Sequence, residues 1–160
     1  MDCGHFYFIS DSYFEDFQDS FLMKNKELLS GGEHNRPCFY AFRDSSSEIF
    51  WLIPISSQVE KYKKIYRKKT AQHGFCDTIV FGEVLGSEKA FLIQNMCPVT
   101  EKYISNEYLD SMNVPVRVNG VFEKELVRKA KKILLLQRRG VNIIFPDVLN
   151  IERFLTEKTD

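Results

Sequence analysis

At 160 residues, 44% hydrophobic and 28% charged, with 14 Phe, 7 Tyr and 1 Trp, the chain is long enough for one core burying roughly 70% of its unfolded surface. It is too apolar to be disordered or collagen-like, and it lacks the composition of a small disulfide-stapled fold. Its 22 bases and 22 acids cancel to a net charge of zero, a sum that conceals a strong segregation along the chain.

Residues 5–10 are a short aromatic run with strand character. Ser12 and Glu15 form a capping box ahead of Phe14, Phe17, Phe21 and Leu22 at helical spacing, which places Tyr13 where a strand hands over to a helix. Residues 24–35 are polar, contain Gly31-Gly32 and read as a loop. Apolar runs at 37–42 and 48–55 flank Asp44-Ser45-Ser46-Ser47, a hairpin pattern. Ser57 with Glu60 makes a second capping box. Behind it Val59, Tyr62, Ile65 and Tyr66 form an apolar stripe and Lys61, Lys64 and Lys68 a basic one, up to Gly74. Runs at 78–85 and 90–96 around Gly86-Ser87-Glu88 predict a second hairpin.

Thr100 is placed to cap a short helix reaching residue 109, and residues 115–118 predict a brief strand. Asn119 caps the clearest helix in the chain, with Phe122, Leu126, Val127, Ala130, Ile133, Leu134 and Gln137 on one face and Lys124, Arg128, Lys131 and Lys132 on the other. Gly140 stops it, residues 143–145 predict a last strand, and Pro146-Asp147 opens a terminal helix to about residue 155. The order of hairpins and helices predicts an α+β fold, one compact domain over residues 1–160 with a strongly twisted, mostly antiparallel sheet flanked by helices.

No apolar run nears the roughly 20 residues of a membrane span, and the start Met1-Asp2-Cys3-Gly4-His5 lacks the basic opening of an export signal. With Cys3, Cys38, Cys76 and Cys97 read as reduced thiols, the expectation is a cytoplasmic protein with no membrane partner. The bases cluster. Lys61, Lys63, Lys64, Arg67, Lys68 and Lys69 stand together with no acid among them, and residues 123–139 add Lys124, Arg128, Lys129, Lys131, Lys132, Arg138 and Arg139 against two acids. Two runs of one sign suit a polyanion, although each also describes a solvated helix face.

The glycine-rich nucleotide loops, the GxSxG elbow, CxxC pairs and HExxH are all absent. Cys3/His5 and His34/Cys38 are single pairs without a second pair, so neither a metal nor a cofactor is expected. What remains is hydroxyls and cations at strand ends beside helix starts. In Pro54-Ile55-Ser56-Ser57-Gln58-Val59-Glu60-Lys61, free backbone N–H groups, two hydroxyls and a lysine one turn in can hold a phosphate oxygen. Ser57 would cap that helix whatever else it does. Arg36, entering the first hairpin, and Tyr13 are weaker signals of the same kind.

Phe6-Tyr7-Phe8-Ile9-Ser10 followed by Tyr13, Asn35-Arg36-Pro37 entering a strand, and Pro54-Ile55-Ser56-Ser57 before a lysine-rich helix together resemble the RNA-cleaving toxins of bacterial type III toxin–antitoxin systems, the ToxN and AbiQ group. Residues 77–85 and Ile93-Gln94-Asn95-Met96 are most similar to its CptN branch. The resemblance implies a partial barrel akin to the Kid/MazF toxins and a metal-independent, sequence-specific endoribonuclease used in phage defence. It also implies inhibition by a small folded repeat RNA that bridges toxin copies. Tyr13 matches the group's tyrosine after the first strand, Ser56 and Ser57 its hydroxyl pair, and Arg36 the cation that opens the first hairpin. The group's lysine two residues after the serine is Val59 here, so Lys61 or Lys64 would have to supply that charge.

RNA needs no external nucleophile: a ribose 2′-OH attacks the adjacent phosphorus and leaves a 2′,3′-cyclic phosphate. Ser57, with Arg36 or Lys61, would stabilise the developing charge, Tyr13 would hold the phosphate or stack a base, and His34 has the pKa for proton transfer. Lys63, Lys64, Arg67, Lys68, Lys69, Lys124, Arg128, Lys131 and Lys132 are expected to line a groove for the RNA inhibitor and for single-stranded target RNA. Phe39, Tyr40, Tyr62 and Tyr66 serve either base stacking or the core. A non-catalytic RNA-binding regulator using the same groove, and an interaction domain for an acidic protein, are the competing readings.

Overall fold

The structure of the protein, a computed structural model, describes residues 1–24, 26–29 and 32–158, and at 26–29 and 32–34 it describes the backbone alone. In chain order the elements are β1 (Phe6–Ile9), α1 (Asp11–Asp16), β2 (Lys26–Leu29), β3 (Gly32–Asn35), β4 (Cys38–Arg43), β5 (Phe50–Ser56), α2 (Val59–His73), β6 (Ile79–Val84), β7 (Ser87–Leu92), β8 (Cys97–Val99), β9 (Ile104–Glu107), α3 (Gly120–Arg138) and α4 (Val148–Glu157). Seven strands form one antiparallel sheet in the order β6-β7-β5-β4-β1-β9, with β8 also on β5; the sheet does not close into a barrel. β2 and β3 pair as a separate hairpin.

β5 is the axis of the sheet, and all seven of its residues are buried. Its first half pairs with β8 through Phe50, Trp51 and Leu52, and its second half pairs with β7 through Ile55↔Phe91 and Ser56↔Ala90. A 3₁₀ turn at Ile93–Asn95 links β7 to β8, so one edge of β5 is covered by two consecutive strands. Because side chains alternate along a strand, the β6–β7 hairpin is apolar on both faces. One face joins the main aromatic core, where Phe91 meets Phe6, Phe39 and Phe122 at ring distances of 6.2, 6.1 and 5.1 Å. Each such pair adds roughly 0.5–1.5 kcal/mol to the area it buries.

Phe122 comes from α3 and lies directly over Gly82, where a Cβ would stand 2.3 Å from its ring. The other face packs Ile79, Ala90 and Leu92 against Tyr62 of α2 and Cys76. α2 ends as its sequence requires, on Gly74 at φ 82°, which leaves the α-helical region without a Cβ penalty.

Several expectations change. α1 is only six residues long, and neither it nor α2 has a side-chain N-cap bond; Ser10 and Ser12 bond each other at 2.8 Å instead. The expected loop at 24–35 contains the β2–β3 hairpin. After Thr100 the chain makes a 3₁₀ turn and then β9, because β1 has an open edge that residues 104–107 complete. No strand forms at 115–118 or 143–145: Pro115 makes a single bridge to Leu109, and the N–H groups of Ile143 and Ile144 both go to the Gln137 amide oxygen at 2.8 Å. Asn119 caps α3 as expected, its Oδ1 accepting from Val121 and Phe122 N–H. Among the described residues, no helix is long and apolar enough to cross a membrane.

Candidate active site

The hydroxyl pair sits where β5 runs into α2. Ser56 is buried, and its Oγ accepts the Gln58 N–H at 3.1 Å, while the Ser57 carbonyl takes the Val59 N–H at 2.9 Å. These two bonds turn the chain into the helix without help from the Ser57 side chain. The Ser57 hydroxyl, half-buried, therefore does not close the expected box with Glu60. It accepts instead from Lys89 Nζ at 2.7 Å.

Lys89 reaches it because Ser56 pairs with Ala90, so the next residue of the β5 line lies beside the preceding residue of β7. Among the described residues no acid pairs with Lys89, since the neighbouring Glu88 is held by Lys63 at 2.8 Å. The sequence concealed Lys89. It lies 32 positions from Ser57, in a run read only as a hairpin, and only the strand register brings the two together.

Arg36 comes to the same junction from below. It is 7% exposed, with Nε donating to the Lys24 carbonyl at 3.0 Å and Nη1 to the Ile55 carbonyl at 2.8 Å. A buried guanidinium thus underlies the residue before Ser56. Lys61 is exposed one turn into α2, its Nζ 5.3 Å over the Tyr62 ring. Arg36, Ser56 and Ser57 lie at one junction, and Lys89 joins them.

Tyr13 is placed differently. It is fully buried, its hydroxyl donates to the Pro98 carbonyl at 2.8 Å, and its ring packs on Phe14, Phe17 and Tyr103 at 5.0–5.4 Å. Burial, with the thiols of Cys97 and Cys38 beside it, pushes its pKa well above the ordinary tyrosine value. In this structure it is a core residue, because an aromatic on the inner side of so short a helix has only the core to enter. Phe39, Tyr40 and Tyr62 are buried too, and Tyr66 packs on Phe81, so these four rings are packing residues. The His34 side chain lies outside the described residues.

The two basic runs are not one uniform groove. On α2, Lys61, Lys64, Arg67 and Lys68 are exposed with no acid in ion-pair range among the described residues. Lys63 is tied to Glu88, and Lys69 turns inward to Thr78 and Gln94. On α3, Lys124, Arg128 and Lys131 form an exposed stripe, with Lys131 Nζ 5.6 Å over Phe42. Lys132 is held by Asp77 at 2.8 Å, Lys129 by Glu125 at 3.1 Å, and Arg138 by Asp44 at 3.0 Å and Glu152 at 2.5 Å. Lys69 and Lys132, expected on the open basic faces, are thus engaged within the protein. Among the described residues no three His, Cys, Asp or Glu side chains come together as a metal site would need.

An open antiparallel sheet with α2 and α3 on its two faces, and hydroxyls and cations at the β5–α2 junction, is the arrangement to compare with known proteins. The chain is similar in fold to AbiQ. The two structures superpose with a TM-score of 0.66 at 14% sequence identity, over 97% of this chain and 97% of AbiQ, a lactococcal anti-phage endoribonuclease belonging to the type III toxin–antitoxin system. No protein-family model and no curated protein matches the sequence.

Proposed function

We propose that this chain is the endoribonuclease toxin of a type III toxin–antitoxin system, of the CptN branch. In this reading it is cytoplasmic, acts in phage defence and is inhibited by a small folded RNA in an RNA-bridged assembly. The observation that carries the reading is the similarity to AbiQ along nearly the whole chain. The junction of Arg36, Ser56, Ser57 and Lys89 supports it by offering chemistry suited to a phosphodiester.

In that chemistry the ribose 2′-OH gives up its proton and its oxygen bonds to phosphorus, the P–O5′ bond breaks, and O5′ takes a proton. The products are a 2′,3′-cyclic phosphate and a free 5′-OH, and no metal enters. The Ser57 hydroxyl already accepts from Lys89, so its own proton is free to be donated to a non-bridging phosphate oxygen. Lys89 Nζ has two further N–H donors for the same oxygen or its neighbour, and Arg36 fixes the backbone that carries the serines. Lys89 thereby supplies the charge that Val59 cannot. Lys61, Lys64, Arg67 and Lys68 on α2, and Lys124, Arg128 and Lys131 on α3, attract the strand and the inhibitor through their phosphates.

Inducible expression in bacteria tests the reading. Growth arrest is expected, with RNA fragments that end in 2′,3′-cyclic phosphate and form equally in EDTA. Harmless expression with intact RNA, combined with tight RNA binding, would instead identify a non-catalytic regulator.

A further inference from the structure

The last turns of α2, the link from Phe75 to Thr78 and the segment ending at Phe145 enclose a cleft of about 690 Å³ against α3. That volume lies within the usual range of ligand sites. Lys69 enters it from α2, donating to Thr78 Oγ1 at 3.1 Å and Gln94 Oε1 at 2.5 Å. An ammonium has three donors, so one remains. Among the described residues no carboxylate pairs with Lys69. Asp77, the acid that lines the cleft, is held by Lys132 at 2.8 Å and faces Lys129 at 3.9 Å. A half-buried cation held by neutral acceptors is short of a partner, and burial lowers its pKa accordingly.

The cleft also shows two large rings to solvent. Phe75 is 60% and Phe145 47% exposed, with Lys132 Nζ 5.6 Å over the first and Lys69 Nζ 5.3 Å over the second. These rings, with Phe145 also packed on Phe21 at 6.0 Å, stand beside a spare N–H donor and suit a flat ring that carries an acceptor better than an aliphatic ligand. The surface of α2 leads there. Lys61, Lys64, Lys68 and Gln72 follow at spacings of three or four, Lys61 lies one turn past Ser57, and Gln72 lines the cleft. A helix of 15 residues rises about 22 Å, the span of a few nucleotides of extended strand.

We propose that this cleft is a nucleobase subsite: guanine or uracil of single-stranded RNA seats against Phe75 and Phe145 with its O6 or O4, the position at which adenine and cytosine carry an amino group, on the free donor of Lys69, while the strand follows α2 toward Ser57. The subsite deepens the ribonuclease reading and rests on it for the position of the cut. It would give that cut its sequence preference at a fixed distance.

Fluorescence anisotropy of the full-length protein with labelled hexa-adenylate, hexacytidylate, hexauridylate and a hexa-adenylate carrying one central guanosine tests the proposal. The wild type is expected to prefer the uridine- or the guanosine-bearing oligomer over the adenylate and cytidylate by roughly tenfold, and the winner tells uracil from guanine. Lys69→Met should erase the preference, and Phe75→Ala should weaken the preferred oligomer by roughly tenfold. Phe75 is exposed, so that variant keeps the wild-type melting temperature. Equal binding of all four oligomers by the wild type, or a preference that survives both substitutions, overturns the subsite. A chain that shows the preference yet cuts no RNA in cells retains the subsite and loses the ribonuclease reading.

Discussion

The chain passes from strand to helix at residues 10–13 and again at 56–59, each time through a pair of serines, and the two junctions end in opposite environments. At the first, Ser10 and Ser12 bond each other and Tyr13 turns inward, its hydroxyl used up on the Pro98 carbonyl. At the second, Ser56 turns the backbone and Ser57 faces Lys89 at the half-buried edge. The local sequence is similar; what surrounds it is not. α1 lies over Tyr103 and Phe17, so the first junction is sealed by aromatic packing. The second borders β7, whose register delivers a lysine, and α2 continues from it as an exposed basic helix. A hydroxyl at a strand end becomes chemically useful when a cation reaches it and water can too.

The comparison breaks first on catalysis. Ser57→Ala and Lys89→Met are each expected to lower the RNA cleavage rate roughly a hundredfold or more, about 3 kcal/mol of lost charge stabilisation, with stability within about 1 kcal/mol of wild type. Tyr13→Phe should leave the rate per folded molecule unchanged. Initial rates on a fluorogenic RNA, paired with thermal melts, decide it; a Tyr13→Phe rate as low as that of Lys89→Met would place the first junction at the substrate after all.

A smaller effect sharpens the contrast between paired and unpaired bases. Reversing Lys61, Lys64 and Lys68 to Glu should weaken RNA binding and reduce the slope of log affinity against log salt by about two, at roughly 0.7 per phosphate contact for single strands. Reversing Lys132 and Arg138, whose charges are already met by Asp77, Asp44 and Glu152, should move that slope much less. Titrations at four salt concentrations measure both.

The sequence showed the α+β class, β4 through β7, α2, α3 and α4, because each rests on local signals: hairpin turns, Gly74, the Asn119 cap, and stripes of period 3.6. β8 and β9 were illegible since neither carries a pattern of its own. They form because β5 and β1 have unpaired edges nearby. The candidate site was legible in part for the same reason. Arg36, Ser56 and Ser57 stand at readable element boundaries, whereas Lys89 becomes a neighbour only through strand register. The burial of Tyr13 was illegible because position after a strand says nothing of which side of a short helix meets the core. Counting charge also overstated the open basic surface, because the acids that answer Lys132 and Arg138 come from distant segments: Asp77 and Asp44 from connections, Glu152 from α4.

The smallest predicted effect tests how tightly the first junction is sealed. Burial pushes the Tyr13 hydroxyl well above its ordinary pKa, and burial together with the Asp16 hydrogen bond pushes Tyr103 up to about 12. Unfolded tyrosines ionise near about 10. The folded state therefore holds these protons more tightly than the unfolded state. The stability they contribute is fully present below pH of about 10 and is lost as pH rises through the folded values. Tyr13→Phe removes one of the two groups and leaves the Pro98 carbonyl without its donor, an expected cost of about 1–2 kcal/mol at neutral pH. Its stability should then fall less steeply in alkali. The gap to wild type is expected to narrow by roughly 1.4 kcal/mol for each unit above about pH 10. Urea unfolding between pH 7 and pH 11 reads this directly. Parallel stability curves for the two proteins would mean that the Tyr13 hydroxyl reaches water, and the distinction between the two junctions would collapse into one of degree.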